Sequence, residues 1–148
     1  MSSSGLFGWL PGRRGVVRQK RHARRSALAG LEFALAELGH ELRRLAELSS
    51  AVDHDDGAAV ARETTTTARI LEVLARGERF ASQLPDSELV SAWRQLAASA
   101  GRARLLGQGP HRVAKLQAAS AECERLQQLA GQKLADQGEL PDEHRRGP

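Results

Sequence analysis

The stretch that decides the fold is "LAGLEFALAELGHELRRL", residues 28–45. Within it leucine recurs every three or four residues, at Leu28, Leu31, Leu35, Leu38, Leu42 and Leu45. This is the heptad spacing of a helix that packs along one side against other helices, with leucine at both seam positions. The sequence therefore predicts a first helix that begins near His22, ends near Ser49–Ser50 and turns its leucine stripe toward helical partners.

A second helix is predicted after the turn "AVDHDDGAA", residues 51–59, whose aspartates can cap it. Its expected seam is Val60, Thr64, Thr67, Leu71 and Leu74. The two threonines would form a weakly polar layer in that seam, of the kind that can fix register in a coiled coil.

Turn signals also introduce a third and a fourth helix. The third follows "LPDSEL", residues 84–89, where Asp86 or Ser87 can cap it, and the fourth opens at Pro110 after "GQGP". The expected seam of the third is Leu89, Trp93, Leu96, Ala100 and Ala103. The expected seam of the fourth is Val113, Leu116, Ser120, Cys123, Leu126 or Gln127, Ala130 and Leu134.

Composition agrees with long helices and a thin core. The chain has 148 residues, of which 41% are hydrophobic and only 3% aromatic, without tyrosine. Short connections favour antiparallel neighbours. We predict an all-α fold, an elongated antiparallel helical bundle or coiled coil of three to four helices over residues 22–137. A disordered basic arm is predicted at 1–21 and a flexible polar tail at 138–148.

The charge of the chain is concentrated at its N-terminus. Seven of the 22 basic side chains and none of the 18 acidic ones lie within residues 1–25, so the rest of the chain is net acidic. The seven are Arg13, Arg14, Arg18, Lys20, Arg21, Arg24 and Arg25. Together with Phe7 and Trp9 they are typical of docking on an anionic membrane or on nucleic acid. A solvated leader without a specific partner, or an organelle transit peptide, stays open at this point.

Sequence features place the protein in the cytoplasm. No apolar run approaches the length needed to cross a bilayer. The N-terminal charges follow the apolar "GLFGWL" instead of preceding it, unlike in a secretory signal. The one cysteine cannot form an internal disulfide, which suits a reducing compartment.

Motifs for catalysis or metal binding are weak. "ELGH", residues 37–40, has the Glu-x-x-His spacing of di-iron bundles, but no second copy exists and both side chains are expected to face water. "DHDD", residues 53–56, lacks the glycine and the distal glutamate of a calcium loop. Cys123 is expected to be a small buried hydrophobic residue. The sequence therefore predicts a protein that is not an enzyme and has no metal or other cofactor.

Two aromatic residues permit two interpretations each. Trp93 either fills space between small residues in the seam of the third helix or is a partly exposed anchor for a partner. Phe33 interrupts the polar side of the first helix. It either packs against a third helix or the folded-back arm, or contacts a partner.

Residues 28–130 resemble the flagellar export chaperones of the FlgN family. The similarity consists of the leucine-heptad first helix, the acidic turn "DHDDGAAVA", a second helix ending "ILEVLARGERF" and a third built on "LVSAWRQLAASAGRARLL". The stretch "LLGQGPHRV", residues 105–113, departs from the family, which has asparagines there and no Gly-Pro break. Members are small cytosolic helical proteins that hold hook–filament junction proteins unassembled and deliver them to the type III export gate.

The resemblance implies a helical binding protein whose last helix covers an amphipathic helix of a client through Leu116, Leu126 and Leu129. Trp93 and Phe33 are further candidate contacts. The alternative is a peripheral adaptor, or a subunit of a larger assembly, docked through residues 1–25 on an anionic membrane or on nucleic acid. Either could form homo-oligomers.

Overall fold

The chain forms four helices and, over the backbone that the structure describes, no strand. The computed structural model describes the backbone of residues 2–50, 57–85 and 87–146, and the side chains of 18–50, 57–85 and 87–137. The helices are α1 (Ser2–Ser50), α2 (Gly57–Ala81), α3 (Glu88–Ala103) and α4 (Pro110–Arg146). The prediction of an all-α bundle is confirmed.

The four helices pack side by side with alternating direction. α1 packs most extensively against α4 and also against α2, while α3 packs against α4 and, over a smaller interface, against α2. Gly30 on α1 adjoins Phe80 near the end of α2, and Ser49 adjoins Glu63 near its start. Ser120 on α4 meets Gly39, and Gly131 meets Glu32. Residue numbers that rise along α1 meet falling numbers on both neighbours, so both pairs are antiparallel.

The predicted seams of three helices are confirmed. All six leucines of α1 are buried, as are all five seam residues of α3. On α4, Leu116, Ser120, Cys123, Leu126 and Ala130 are buried, with Val113 and Leu134 packed partly against the core. Leucine and alanine at these positions remove apolar surface from water, which is the main favourable contribution to folding.

The predicted seam of α2 is wrong at Val60, Thr64 and Leu71, which are exposed, while Thr67 is half-buried and Leu74 packs partly against the core. The residues that face the core are Thr66, Ile70, Val73, Gly77 and Ala81. Val60 and Leu71, which were expected there, remain 51% and 44% exposed. The hydroxyl of Thr64 is exposed and donates to the carbonyl of Val60, 3.0 Å away, within its own helix.

Two large rings explain this orientation of α2. The Phe80 ring lies against Gly30 of α1, and the Trp93 ring of α3 lies against Gly77 of α2. Both glycines leave room that any side chain would occupy. These two contacts orient α2 with Gly77 facing α3, and Ile70 and Val73, on the same face of the helix, are buried.

Most helix boundaries agree with the turn signals. Ser87 caps α3, its side chain accepting a hydrogen bond from the backbone N–H of Val90 at 3.3 Å. Pro110 opens α4 as predicted, directly after Gly109, whose φ of +147° is accessible mainly to glycine. Asp86 and the acidic turn at 51–56 lie outside the described residues.

The outer ends of the first and last helices differ from the prediction. α1 begins at Ser2, although the sequence predicts an irregular arm to residue 21, and α4 continues to Arg146 through the predicted polar tail. Side chains of 18–26 are all exposed, and Ala27 is the first buried one described. Between residues 18 and 26, arginine, lysine, glutamine and alanine have high helix propensity, which lets α1 extend past its last core contact there.

Candidate binding surfaces

Three of the predicted client-binding residues lie inside the bundle. The side chains of Leu116, Leu126 and Trp93 are completely buried. Leu129 is half-buried and packs on the edge of the core. Contact between a client and Leu116, Leu126 or Trp93 would require the bundle to open, so their assignment to a binding surface is corrected: they hold the four helices together.

Trp93 has both its apolar and its polar requirements met inside the protein. Its ring fills the space over Gly77, and its indole N–H donates to Oε2 of Glu78 at 3.0 Å. Arg94 contacts the other oxygen of the same carboxylate at 3.3 Å. A buried tryptophan needs such a partner for its N–H. The interpretation of Trp93 as a seam residue is confirmed, and that of an exposed anchor is wrong.

Phe33 lies on the outside of α1. Its side chain is 62% exposed, so the prediction that it packs against a third helix is wrong, while the side chains of residues 1–17 in the predicted arm lie outside those described. Contact with a partner stays a prediction.

A solvent-open groove separates α3 and α4 on the outer face of the bundle, with a volume of about 450 Å³. Six apolar residues line it: Leu96, Ala103 and Ala119 are buried at the edge of the core, Ala92 and Leu106 are half-buried, and Ala118 is exposed. The polar residues that line it are Gln95, Ser99, Arg102, His111, Lys115 and Glu122. We refer to these residues together as the α3–α4 groove.

The groove exists because both helices present small side chains there. Ala92, Ser99 and Ala103 on α3 lie across from Ala118 and Ala119 on α4, and none is long enough to fill the space between the helices. At the end of α3 the chain continues through Leu105, which is 72% exposed, and Leu106, which lines the groove. Apolar surface is therefore open to solvent both in the groove and beside it.

The rim of the groove is positive at one end. Arg102, His111 and Lys115 lie near the C-terminus of α3, and neither Arg102 nor Lys115 forms an ion pair with any side chain that the structure describes. Glu122, at the other end, is hydrogen-bonded by Arg125, and this bond lowers the pKa of the Glu122 carboxyl. Its charge is balanced, which leaves the cations at the first end uncompensated.

A buried polar network holds this end of the bundle together. Arg112 on α4 forms an ion pair with Glu63 on α2 at 3.4 Å and donates to the carbonyl of Arg104 at 3.2 Å. Gln108 and Ser49 also donate to Glu63, at 2.6 and 3.5 Å. Because Arg112 points toward the core, the adjacent residue His111 points outward and lines the groove. All four helices or their connections contribute to the network, so it fixes the geometry at the positive end of the groove.

A second exposed surface is the basic helical segment, which we define as residues 18–25 of α1. Its cations are Arg18, Lys20, Arg21, Arg24 and Arg25. All five are exposed, and none forms an ion pair among the side chains that the structure describes. Phe7, Trp9, Arg13 and Arg14, predicted to act with them, lie outside the described side chains. In the described part of the chain, no helix is long and apolar enough to cross a membrane.

The Glu-x-x-His motif of α1 is not assembled into a site. Arg76 of α2 donates to both oxygens of Glu37, at 3.1 and 2.9 Å, and this hydrogen bonding raises the pKa of Arg76. His40, three residues on, is exposed. Among the side chains described, no group of three histidine, cysteine, aspartate or glutamate residues is close enough to hold a metal ion.

Cys123 is expected to be almost unreactive in the folded protein. It is buried beside Gly39, and burial raises the pKa of its thiol from 9.0 to about 12. About one thiol in 10,000 would then be ionised at pH 8, and only the thiolate is the nucleophile. Labelling with a thiol reagent should therefore be far slower in buffer than in denaturant. Rapid stoichiometric labelling of the native protein would contradict this burial.

The same pKa predicts how stability changes in alkali. The unfolded chain loses its thiol proton first, so the free energy of unfolding falls as the pH rises from 9 toward about 12. A Cys123→Ala variant lacks this group and should show a weaker decline over that range in urea titrations.

In comparisons with family models, curated proteins and solved structures, this chain matched none. Its function is therefore inferred from the geometry of the two exposed surfaces.

Proposed function

We propose that this protein is a non-catalytic binding protein that holds an amphipathic helix of a client protein in the α3–α4 groove. The observation that supports this proposal is the groove itself, which exposes apolar surface at Ala92, Leu106 and Ala118 and has cations without a described ion pair at one end. Exposed apolar surface rimmed by polar groups is typical of protein-binding sites. We therefore assign client binding to the groove and not to Leu116 and Leu126 of α4, which are buried in the core.

The dimensions of the groove suit a short helix. On α3 its lining extends from Ala92 to Ala103, which at 1.5 Å per residue is about 17 Å, or three helical turns. A client helix would place apolar residues at i, i+3 or i+4 and i+7 over Ala92, Leu106 and Ala118. Because neither Arg102 nor Lys115 forms an ion pair among the described side chains, the same client helix should carry acidic residues at the end near them.

The more specific form of the proposal is a cytoplasmic export chaperone for a flagellar client. It depends on the resemblance to the FlgN family over residues 28–130. In this form the chaperone would mask the client's helix in the α3–α4 groove and not through Leu116 and Leu126.

The proposal predicts that filling the groove abolishes client binding without unfolding the protein. Ala118 is exposed and lines the groove, so Ala118→Trp should be tolerated in the fold and should occupy the place of the client. Ala98→Trp is the matched control, because Ala98 is exposed on α3 outside the groove. The probe is a fluorescent amphipathic helical peptide with acidic residues at one end, read by anisotropy.

We expect Ala118→Trp to weaken peptide binding at least about tenfold, equivalent to about 1.4 kcal/mol, and Ala98→Trp to leave it unchanged. Lys115→Glu should also weaken it, and a peptide with lysines in place of its acidic residues should bind poorly. Equal binding to wild type and Ala118→Trp would disprove the groove as the site. For the chaperone form, wild type but not Ala118→Trp should retain hook–filament junction proteins from native lysate.

A further inference from the structure

We propose that the basic helical segment binds duplex DNA, entering the major groove without reading a defined sequence. The segment lies beyond the core, since every side chain from 18 to 26 is exposed and Ala27 is the first buried one described. Arg24 also lines a shallow cavity with Lys133 and Asp136 of α4, so DNA would approach from the side of the segment that faces away from α4. This inference does not depend on the α3–α4 groove.

The placement of charge on the segment matches phosphate and not a lipid surface. At 3.6 residues per turn the five cations lie within about 160° of the helix circumference. The opposite side carries Gln19, Ala23 and Ser26, and so offers no large apolar side chain for insertion between lipids. Helices that lie in a membrane interface bury an apolar face. Between 18 and 26 this helix has none.

The size and form of the segment distinguish DNA from RNA. An α-helix with its side chains is about 10–12 Å across, close to the width of about 12 Å of the major groove of B-form DNA. That groove admits an α-helix, with phosphates on both sides, whereas the major groove of A-form RNA is deep and narrow. The first acidic residue of the chain is Glu32, so no negative charge interrupts the segment.

The rest of the molecule would confine DNA to this segment. Outside residues 1–25 the chain is net acidic, and Arg43, Arg69, Arg76, Arg94 and Arg112 are in ion pairs with glutamates. DNA would therefore be repelled by the bundle as a whole and attracted to its N-terminal end.

The test uses the full-length chain and a fluorescent duplex DNA of mixed sequence, with binding measured by anisotropy over a range of salt. If five phosphates are neutralised, the logarithm of the binding constant should fall with the logarithm of the salt concentration with a slope of about −4.5. Between about 50 and 200 mM salt this amounts to about a 500-fold loss of affinity.

Two variants with the same net charge locate the site. The first replaces Arg18, Lys20, Arg21, Arg24 and Arg25 with glutamine, which keeps the helix propensity. The second replaces five cations of the bundle with glutamine: Arg44, Arg62, Arg79, Arg102 and Lys115. We expect the first to lose DNA binding and the second to retain it; equal losses would overturn the proposal, because net charge alone would then explain the affinity.

Two other ligands test the choice of DNA. Duplex RNA of the same length and vesicles with anionic lipid should bind more weakly than DNA at equal salt. If vesicles bind and DNA does not, the segment is a membrane anchor and the proposal is wrong. Equal affinity for RNA would likewise overturn insertion into the major groove.

Discussion

Trp93→Ala is expected to lower the free energy of unfolding by about 3–5 kcal/mol, the usual loss for a large aromatic side chain removed from a core. Trp93 is fully buried, and its ring fills the space that Gly77 leaves on α2. The variant also leaves Glu78 without the indole N–H that it accepts. Urea unfolding followed by circular dichroism measures the change, and a loss below about 1 kcal/mol would contradict the described packing.

Gly77 provides the partner experiment. A Cβ at this position would overlap with the Trp93 ring, so Gly77→Ala should destabilise the otherwise native protein by about 1–3 kcal/mol. In the Trp93→Ala background the obstacle is gone, and alanine is favoured over glycine inside a helix by about 1 kcal/mol. In that background Gly77→Ala should therefore raise the free energy of unfolding instead of lowering it. The same destabilisation in both backgrounds would show that the two residues are not in contact.

Leu126→Asp is expected to unfold the protein. The side chain is fully buried, and a carboxylate there would lose its hydration without gaining a partner, at a cost of several kcal/mol. The lost leucine packing adds about 2–5 kcal/mol, and the total is comparable with the whole stability of an ordinary domain. Helical circular dichroism at low temperature should disappear.

Leu129→Asp is the comparison for this substitution. Leu129 lies on the edge of the core and is only half-buried, so a carboxylate there can still reach water. That variant should remain folded with a moderate loss of stability. If Leu126→Asp stayed helical and lost only peptide binding, Leu126 would belong to a binding surface after all.

Much of the fold is encoded in the leucine spacing of α1. Six leucines at intervals of three and four permit only one inward face, and the structure buries all six. The face of α2 could not be predicted in the same way, because the apolar residues at 70, 71, 73 and 74 cover adjacent faces of the helix, and of these only Leu71 stays exposed. Contacts distant in sequence, Phe80 with Gly30 and Trp93 with Gly77, decide which face turns inward.

The α3–α4 groove was harder to predict, because the residues that line it do not recur at a regular spacing in the sequence. Ala118 and Ala119 are adjacent in the sequence, and only the neighbouring α3 shows that the space above them is empty. Conversely, the pattern of α4 already places Leu116 and Leu126 in its seam, and only the resemblance to the FlgN family implies a binding role for them. Their role as core residues follows from α1, which packs along the same face.

The extensive pairing of α1 with α4 has a consequence for biosynthesis. Its contacts join residues far apart in the chain, as between Ser120 and Gly39, which are 81 positions apart. A ribosome releases α1 before α4, so the leucines of the first helix remain exposed to solvent on the side that packs against α4 until α4 has been synthesised. Nascent chains that stop before Pro110 should be prone to aggregate, and prolonged pausing before α4 has emerged should lower the yield of native protein.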